Sequence, residues 1–157
     1  MTPAAAAPVA EEALVQRGRI AVPYSWSAGV AGTRFLKALR EERRFLAARC
    51  ADCRRLALPP TRRCGGCLGE CVERVEVGPG GVLLSFARPA YASPVHPLPW
   101  PLFGLVRLDG ADSALLVLMS GAEPGDLRRG MRVEPDFLEP PGRALHELVR
   151  FRAAGRP

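Results

Sequence analysis

The chain has 157 residues, and 48% of them are apolar, enough to bury a core and too many for wholesale disorder. Lys+Arg 22 against Asp+Glu 16 leaves +6 at neutral pH, and almost all of the basic side is arginine, because Lys37 is the only lysine. Arginine pairs bidentately with carboxylates and phosphates, so acidic partners or phosphorylated ligands fit the balance, but an excess this small does not argue for nucleic acid.

The longest apolar run, Ala114 to Met119, is far short of the roughly 20 residues that a spanning helix needs, so no membrane association is expected. The opening Thr2-Pro3-Ala4-Ala5-Ala6-Ala7-Pro8 has neither the basic nor the apolar region of a secretion signal. A cytoplasmic, reducing location is the expectation, and there five cysteines point to metal ligation rather than disulfides.

Residues 1–22 read as a flexible tail and residues 23–48 as an arm followed by a helix. In the arm, Tyr24 and Trp26 alternate around Ser25, next to Pro23. Thr33 is a suitable N-cap, Phe35, Leu36 and Leu39 form a helical stripe, and Arg40 to Arg44 supply a charged face. The stripe packs on its own domain, on a partner, or on both.

Residues 45–71 carry the strongest signal. Phe45 to Arg49 and Leu56 to Leu58 read as short strands on either side of a turn. Cys50-Ala51-Asp52-Cys53 and Cys64-Gly65-Gly66-Cys67 are two C-x-x-C pairs. Each such turn brings two sulfurs within reach of one ion, and two turns complete a tetrahedral tetrathiolate site. Gly65 and Gly66 are expected to supply the positive φ that such turns use. Arg54, Arg55, Arg62 and Arg63 flank the turns and offset the −2 of a zinc tetrathiolate, whose presence lowers the net charge to about +4. Spacing alone leaves zinc and a rubredoxin-like iron both open. Four protein ligands leave no open position, so the metal is structural. Cys71 reads as a small buried apolar residue.

Residues 72–152 are β in texture. The runs Val72–Val77, Val82–Ala87, Leu102–Leu108, Ala114–Met119, Met131–Leu138 and Leu145–Phe151 are separated by Gly- and Pro-rich turns, among them Gly78-Pro79-Gly80-Gly81 and Asp109-Gly110. About five strands with few helical stretches fit a five-stranded OB barrel, and a small sandwich fits the count as well. Residues 153–157 form a tail. The loop Ala90 to Pro101 is too long for a hairpin. Tyr91, Leu98, Trp100 and Phe103 make it apolar, and Arg88 and Arg107 stand on either side. It reads as the wall of a ligand channel or as a lid on the barrel. His96, in this loop, and His146, in the last run, face no matched carboxylate, and no nucleophile or nucleotide motif is present. The cluster Glu134, Asp136 and Glu139 reads as a solvated face.

Taken in order, these stretches resemble the zinc-ribbon/OB-fold family filed as domain of unknown function thirty-five. The resemblance spans roughly residues 24–152. It rests on Phe35-Leu36 with Leu39, Cys50-x-x-Cys53, Leu58-Pro59-Pro60, Cys64-x-x-Cys67 and Gly80-Gly81-Val82, then on Leu105 to Asp112, Arg129 to Glu134 and Phe151. Arg54 and Leu68 depart from the family's frequent glycines after the second cysteine of each pair. The resemblance implies a rubredoxin-like ribbon holding structural Zn²⁺ through Cys50, Cys53, Cys64 and Cys67, followed by an OB barrel. It also implies a non-catalytic companion of a thiolase-fold enzyme that stabilises its partner and helps shape the path of a CoA thioester. On that reading Arg88, Trp100 and Arg107 contact the acyl-CoA. A nucleic-acid-binding ribbon-plus-barrel protein is the alternative, set against an aromatic content of only 6%.

Overall fold

The computed structural model describes residues 25–155. Pro23, Tyr24, the expected tail 1–22 and residues 156–157 lie outside the described residues, while Trp26 is exposed at the edge of them.

Helix α1 runs from Gly29 to Glu42 and buries Phe35, Ala38 and Leu39, the expected stripe. It starts four residues before Thr33, so that residue is not its cap. No side chain of the N-cap residue Ala28 caps it, and the Ser27 hydroxyl accepts the Gly29 N–H at 3.1 Å instead. Arg43, in the left-handed region at φ 56°, ends the helix and turns the chain into β1.

Strands β1 (Phe45–Cys50), β2 (Leu56–Ala57) and β3 (Cys71–Val77) form an antiparallel sheet in the order β2-β1-β3. Val72–Val77, the first run of the β-rich half, thus pairs with β1, with Phe45 opposite Val77 and Cys50 opposite Cys71.

A second sheet contains β4 (Gly81–Ala87), β5 (Phe103–Leu108), β6 (Leu115–Leu118), β7 (Arg132–Phe137) and β8 (Val149–Ala153), in the order β6-β5-β4-β7-β8. A parallel bridge from Met119 to Phe151 joins its two ends, and Ser120 N–H donates to Phe151 O at 2.8 Å. Antiparallel neighbours closed by one parallel contact make the five-stranded Greek-key barrel of an OB fold. The fold class is therefore mainly β with one long N-terminal helix. At the start of β4 the backbones approach so closely that a Cβ on Gly81 would lie 2.6 Å from Arg107 O. Only glycine fits there.

Leu145 to Leu148 is a single helical turn, α2, rather than the start of the last strand. The Glu147 carboxylate accepts the N–H groups of Arg143 at 2.9 Å and Ala144 at 3.0 Å, which favours a turn over extended chain. His146 therefore sits on α2.

One apolar core spans both sheets. Phe45 of β1 packs its ring 5.9 Å from Phe151 and 6.1 Å from Phe137, both barrel residues. Leu56 and Leu58 join the same cluster as Leu83, Val106 and Leu108. The turn after β5 adds polar stitches. The Asp112 carboxylate accepts the Leu56 N–H at 2.8 Å, and the Ser113 hydroxyl accepts the Leu58 N–H at 2.6 Å while donating to Leu58 O at 2.8 Å.

Candidate functional site

Cys50 ends β1, Cys53 follows it through a tight turn, and Cys64 and Cys67 form a second turn that the backbone ties to the first. Cys50 N–H donates to Arg55 O and Cys64 N–H to Gly69 O, both at 2.9 Å, while Arg54 and Leu68 N–H groups return to Cys50 O and Cys64 O. The four sulfurs all lie within 4.8 Å of one another, and the Cys50–Cys67 and Cys53–Cys64 pairs are 3.5 Å apart. A tetrahedral ion with metal–sulfur bonds of about 2.3 Å sets its sulfurs about 3.8 Å apart. The cluster fits one metal ion such as zinc, with Cys50 and Cys64 buried and Cys53 and Cys67 exposed.

The electrostatics divide the sulfurs. The Cys67 and Gly66 N–H groups aim at Cys64 and hold it down at about 6, and the Cys53 N–H lowers Cys50. The Arg55 N–H acts on Cys53 in the same direction, but the neighbouring Cys67 and Cys64 sulfurs push it up to about 12. Sulfurs crowded this closely hold protons until a cation replaces them.

The positive φ values fall on Arg54 (64°) and Leu68 (63°), not on Gly65 or Gly66. These are the residues that follow each C-x-x-C pair. Gly66 instead leaves room for Arg55, whose Nη1 would lie 2.9 Å from a Cβ there. Gly69 serves the site in a way that the sequence reading missed: a Cβ on it would sit 3.2 Å from Cys50 Sγ and 2.1 Å from Asp52 Oδ2. Its only signal was a glycine between two turn-forming cysteines and a strand. Cys71 is buried beside Ala48, Cys50 and Cys64, outside the four-sulfur cluster, and burial raises its thiol.

The residues expected to meet acyl-CoA lie on the barrel. Trp100 is 54% exposed at the end of the proline-rich loop, whose Tyr91 and His96 rings stack 5.5 Å apart. Arg88 leaves β4 and pairs with Glu123 at 2.6 Å. Arg107 is exposed on β5 opposite Val82, whereas Ala87, beside Arg88, pairs with Phe103. The two arginines therefore stand at opposite ends of the β4–β5 ladder, about 17 Å apart along the strand. Between them the outer barrel face presents Leu105 paired with Leu116, both exposed, and a small cavity of about 200 Å³ lined by Pro97, Phe103, Leu116, Leu145 and His146. The sequence reading did not single out this face. Its trace is that Leu105 and Leu116 are apolar at the strand positions where alternation calls for polar residues. The acidic residues expected on a solvated face are paired: Glu134 with Arg152 at 3.0 Å, Asp136 with the Ser120 hydroxyl at 2.9 Å, and Glu139 with Arg43.

No protein-family model matches the chain, and no curated protein does. Solved structures do. A chain of the Ltp2-ChsH2(DUF35) aldolase is 28% identical, with TM-score 0.58, over 78% of this chain and 93% of that one. A DUF35-family protein of unknown function from Sulfolobus solfataricus shares the fold at 18% identity and TM-score 0.59, over 80% of this chain and 86% of that one. The chain is thus similar in fold to DUF35-family proteins. The likeness covers the part of the chain that carries the cysteine cluster and the closed barrel, and no helix among the described residues is long and apolar enough to cross a membrane.

Proposed function

We propose that this chain is a DUF35-type protein, a non-catalytic subunit that binds and stabilises a thiolase-like, acyl-CoA-processing enzyme and completes its acyl-CoA site. The observation that carries the reading is the likeness, over nearly the whole of that chain, to a component of an enzyme complex described as an aldolase. The metal is zinc, held structurally: four cysteine ligands satisfy it and leave no position for substrate. Zinc is colourless where a ferric tetrathiolate absorbs visible light, so a spectrum of the purified protein with metal analysis tests the assignment. A reducing, cytoplasmic setting accords with five cysteines that form no disulfide.

On this reading the two sheets divide the labour, the ribbon sheet that ends with β3 holding the metal and the barrel from β4 onward meeting the thioester. Trp100 lies against the acyl or pantetheine part, and Arg107, exposed on β5, takes a phosphate. Arg88 reaches the ligand by exchanging Glu123 for it. The apolar Leu105–Leu116 face lacks the stacking aromatics with which OB barrels hold single-stranded nucleic acid.

The test is reconstitution with the enzyme that co-purifies from the source cell, identified by mass. Trp100→Ala and Arg107→Ala are expected to raise the complex's KM for acyl-CoA about tenfold, in line with loss of a charge-assisted or buried aromatic contact. The melting temperature of the isolated chain is expected to stay put. Unchanged KM in an assembled, active complex removes these residues from the substrate path, and the absence of any acyl-CoA enzyme among the co-purifying proteins removes the reading itself.

A further inference from the structure

A groove of about 890 Å³ separates the first turn of α1 from Pro59, Pro60 and the first half of β3. Its apolar wall includes Val30 and Val72, 69% and 63% exposed, an unusual degree for two valines on ordered elements. Its cations are Arg62 and Arg74, and its one carboxylate is Glu70. Arg74 Nε and Nη1 are buried with no hydrogen-bond partner, and neither Arg62 nor Arg74 forms an ion pair among the described residues. A guanidinium desolvated without an acceptor is costly, and a carboxylate relieves that cost. The start of α1 adds positive potential at the same place, since its first turn carries no acidic residue. β3 is also the outer strand of its sheet, so extended chain can lie alongside it.

We propose that this groove docks an extended, apolar segment of the enzyme subunit that carries an Asp or Glu, with the acidic side chain on Arg74 and Arg62 and the apolar ones on Val30 and Val72. The groove is open and lies beside a strand edge, which suits a peptide segment better than an enclosed small molecule. The inference rests on the reading of the chain as a companion subunit and says where the partner is held. Neither Trp100 nor Arg107 lines this groove.

The experiment measures the affinity of the full, metal-loaded chain for the co-purifying enzyme subunit, comparing wild type with Arg74→Glu and Val72→Asp at low and high salt. Hydrogen exchange of the complex is read at Val30–Gly32 and Val72–Val75. Arg74→Glu is expected to weaken binding at least tenfold and to flatten its salt dependence, because a screened charge pair is removed. Val72→Asp weakens it without touching Arg74, and since Val72 is exposed this variant decides the matter should Arg74→Glu fail to fold. Amides on both sides of the groove gain protection in the wild-type complex. Wild-type affinity in folded variants, with no added protection, overturns the surface and leaves the companion role standing. No complex with the wild-type chain removes both. If the isolated chain self-associates and the same variants abolish that, the occupant is a second copy, and the proposal is overturned.

Discussion

Arg54 and Leu68 carry backbone strain beside the cysteine cluster. Each holds a left-handed backbone, φ 64° and 63°, directly after a C-x-x-C pair. For a residue with a Cβ that conformation costs roughly 1–2 kcal/mol, and glycine is relieved of it at an entropic cost of about 0.5–1 kcal/mol. Leu68 is 74% exposed and packs little, so its side chain returns almost nothing to stability. Arg54→Gly and Leu68→Gly are each expected to stabilise the metal-loaded protein by about 0.5–1 kcal/mol in denaturant titration. A loss of stability in both shows that the side chains contribute more than the backbone strain takes away. This part of the site was legible in the sequence: C-x-x-C spacing is local, so the four clustered cysteines could be read directly, while the glycine usual after each pair came only from the family resemblance. Which glycine does what was not legible. The left-handed positions lie one step beyond the expected Gly65 and Gly66, and the need for Gly69 arises from Asp52 and Cys50 folding over it.

At the level of elements, the turn Asp109 to Ser113 and the stretch Arg129 to Glu134 act on each other. Arg132 grips Asp109 with two hydrogen bonds, at 2.7 and 2.6 Å, while Asp112 and Ser113 hold β2. Both members of the ion pair are about half exposed, so its contribution is at most about 1 kcal/mol. Arg132 holds the Asp109 carboxyl below its ordinary value. The ionised form is therefore the one that folding favours, and its stabilisation is present above the ordinary carboxylate range and disappears as pH falls through the lowered folded value. Asp109→Asn is expected to lower the melting temperature by a few degrees at neutral pH and to match wild type in acid. A deficit that persists unchanged into acid assigns the loss to turn geometry instead of charge. The strands were legible because turn chemistry brackets them: Gly78-Pro79-Gly80-Gly81 and Asp109-Gly110 stop one run and start the next. Pairing was not legible, since nothing within Val72–Val77 distinguishes a partner in β1 from one in the barrel. Nor was α2, because Leu145 and Val149, four residues apart, satisfy helix and strand periods alike, and the Glu147 carboxylate that closes the turn acts through backbone groups.

The described residues are built on two sheets that share one apolar core. Phe45 leaves the ribbon sheet and packs on Phe137 and Phe151 of the barrel, while Leu56 and Leu58 share a core with Leu83 and Leu108. The ribbon and the barrel are sequence-continuous through β3, whose last residue, Val77, lies in that same core two residues before Pro79 and the start of the barrel. Cys50 and Ala48 lie on the strand that carries Phe45, so whatever happens at the sulfurs is felt in the shared core. A structural zinc typically contributes about 10 kcal/mol to the module that it organises, comparable to the entire stability of a domain of this size. Chelation is therefore expected to destabilise the barrel along with the ribbon. Calorimetry of the metal-loaded chain should show one transition. After exhaustive chelation, near-ultraviolet signals from Trp100, on the barrel, should be lost at the same temperature as the ribbon's helix signal. A barrel that melts at its original temperature once the metal is gone would instead show that the Phe45 contacts do not couple the two sheets.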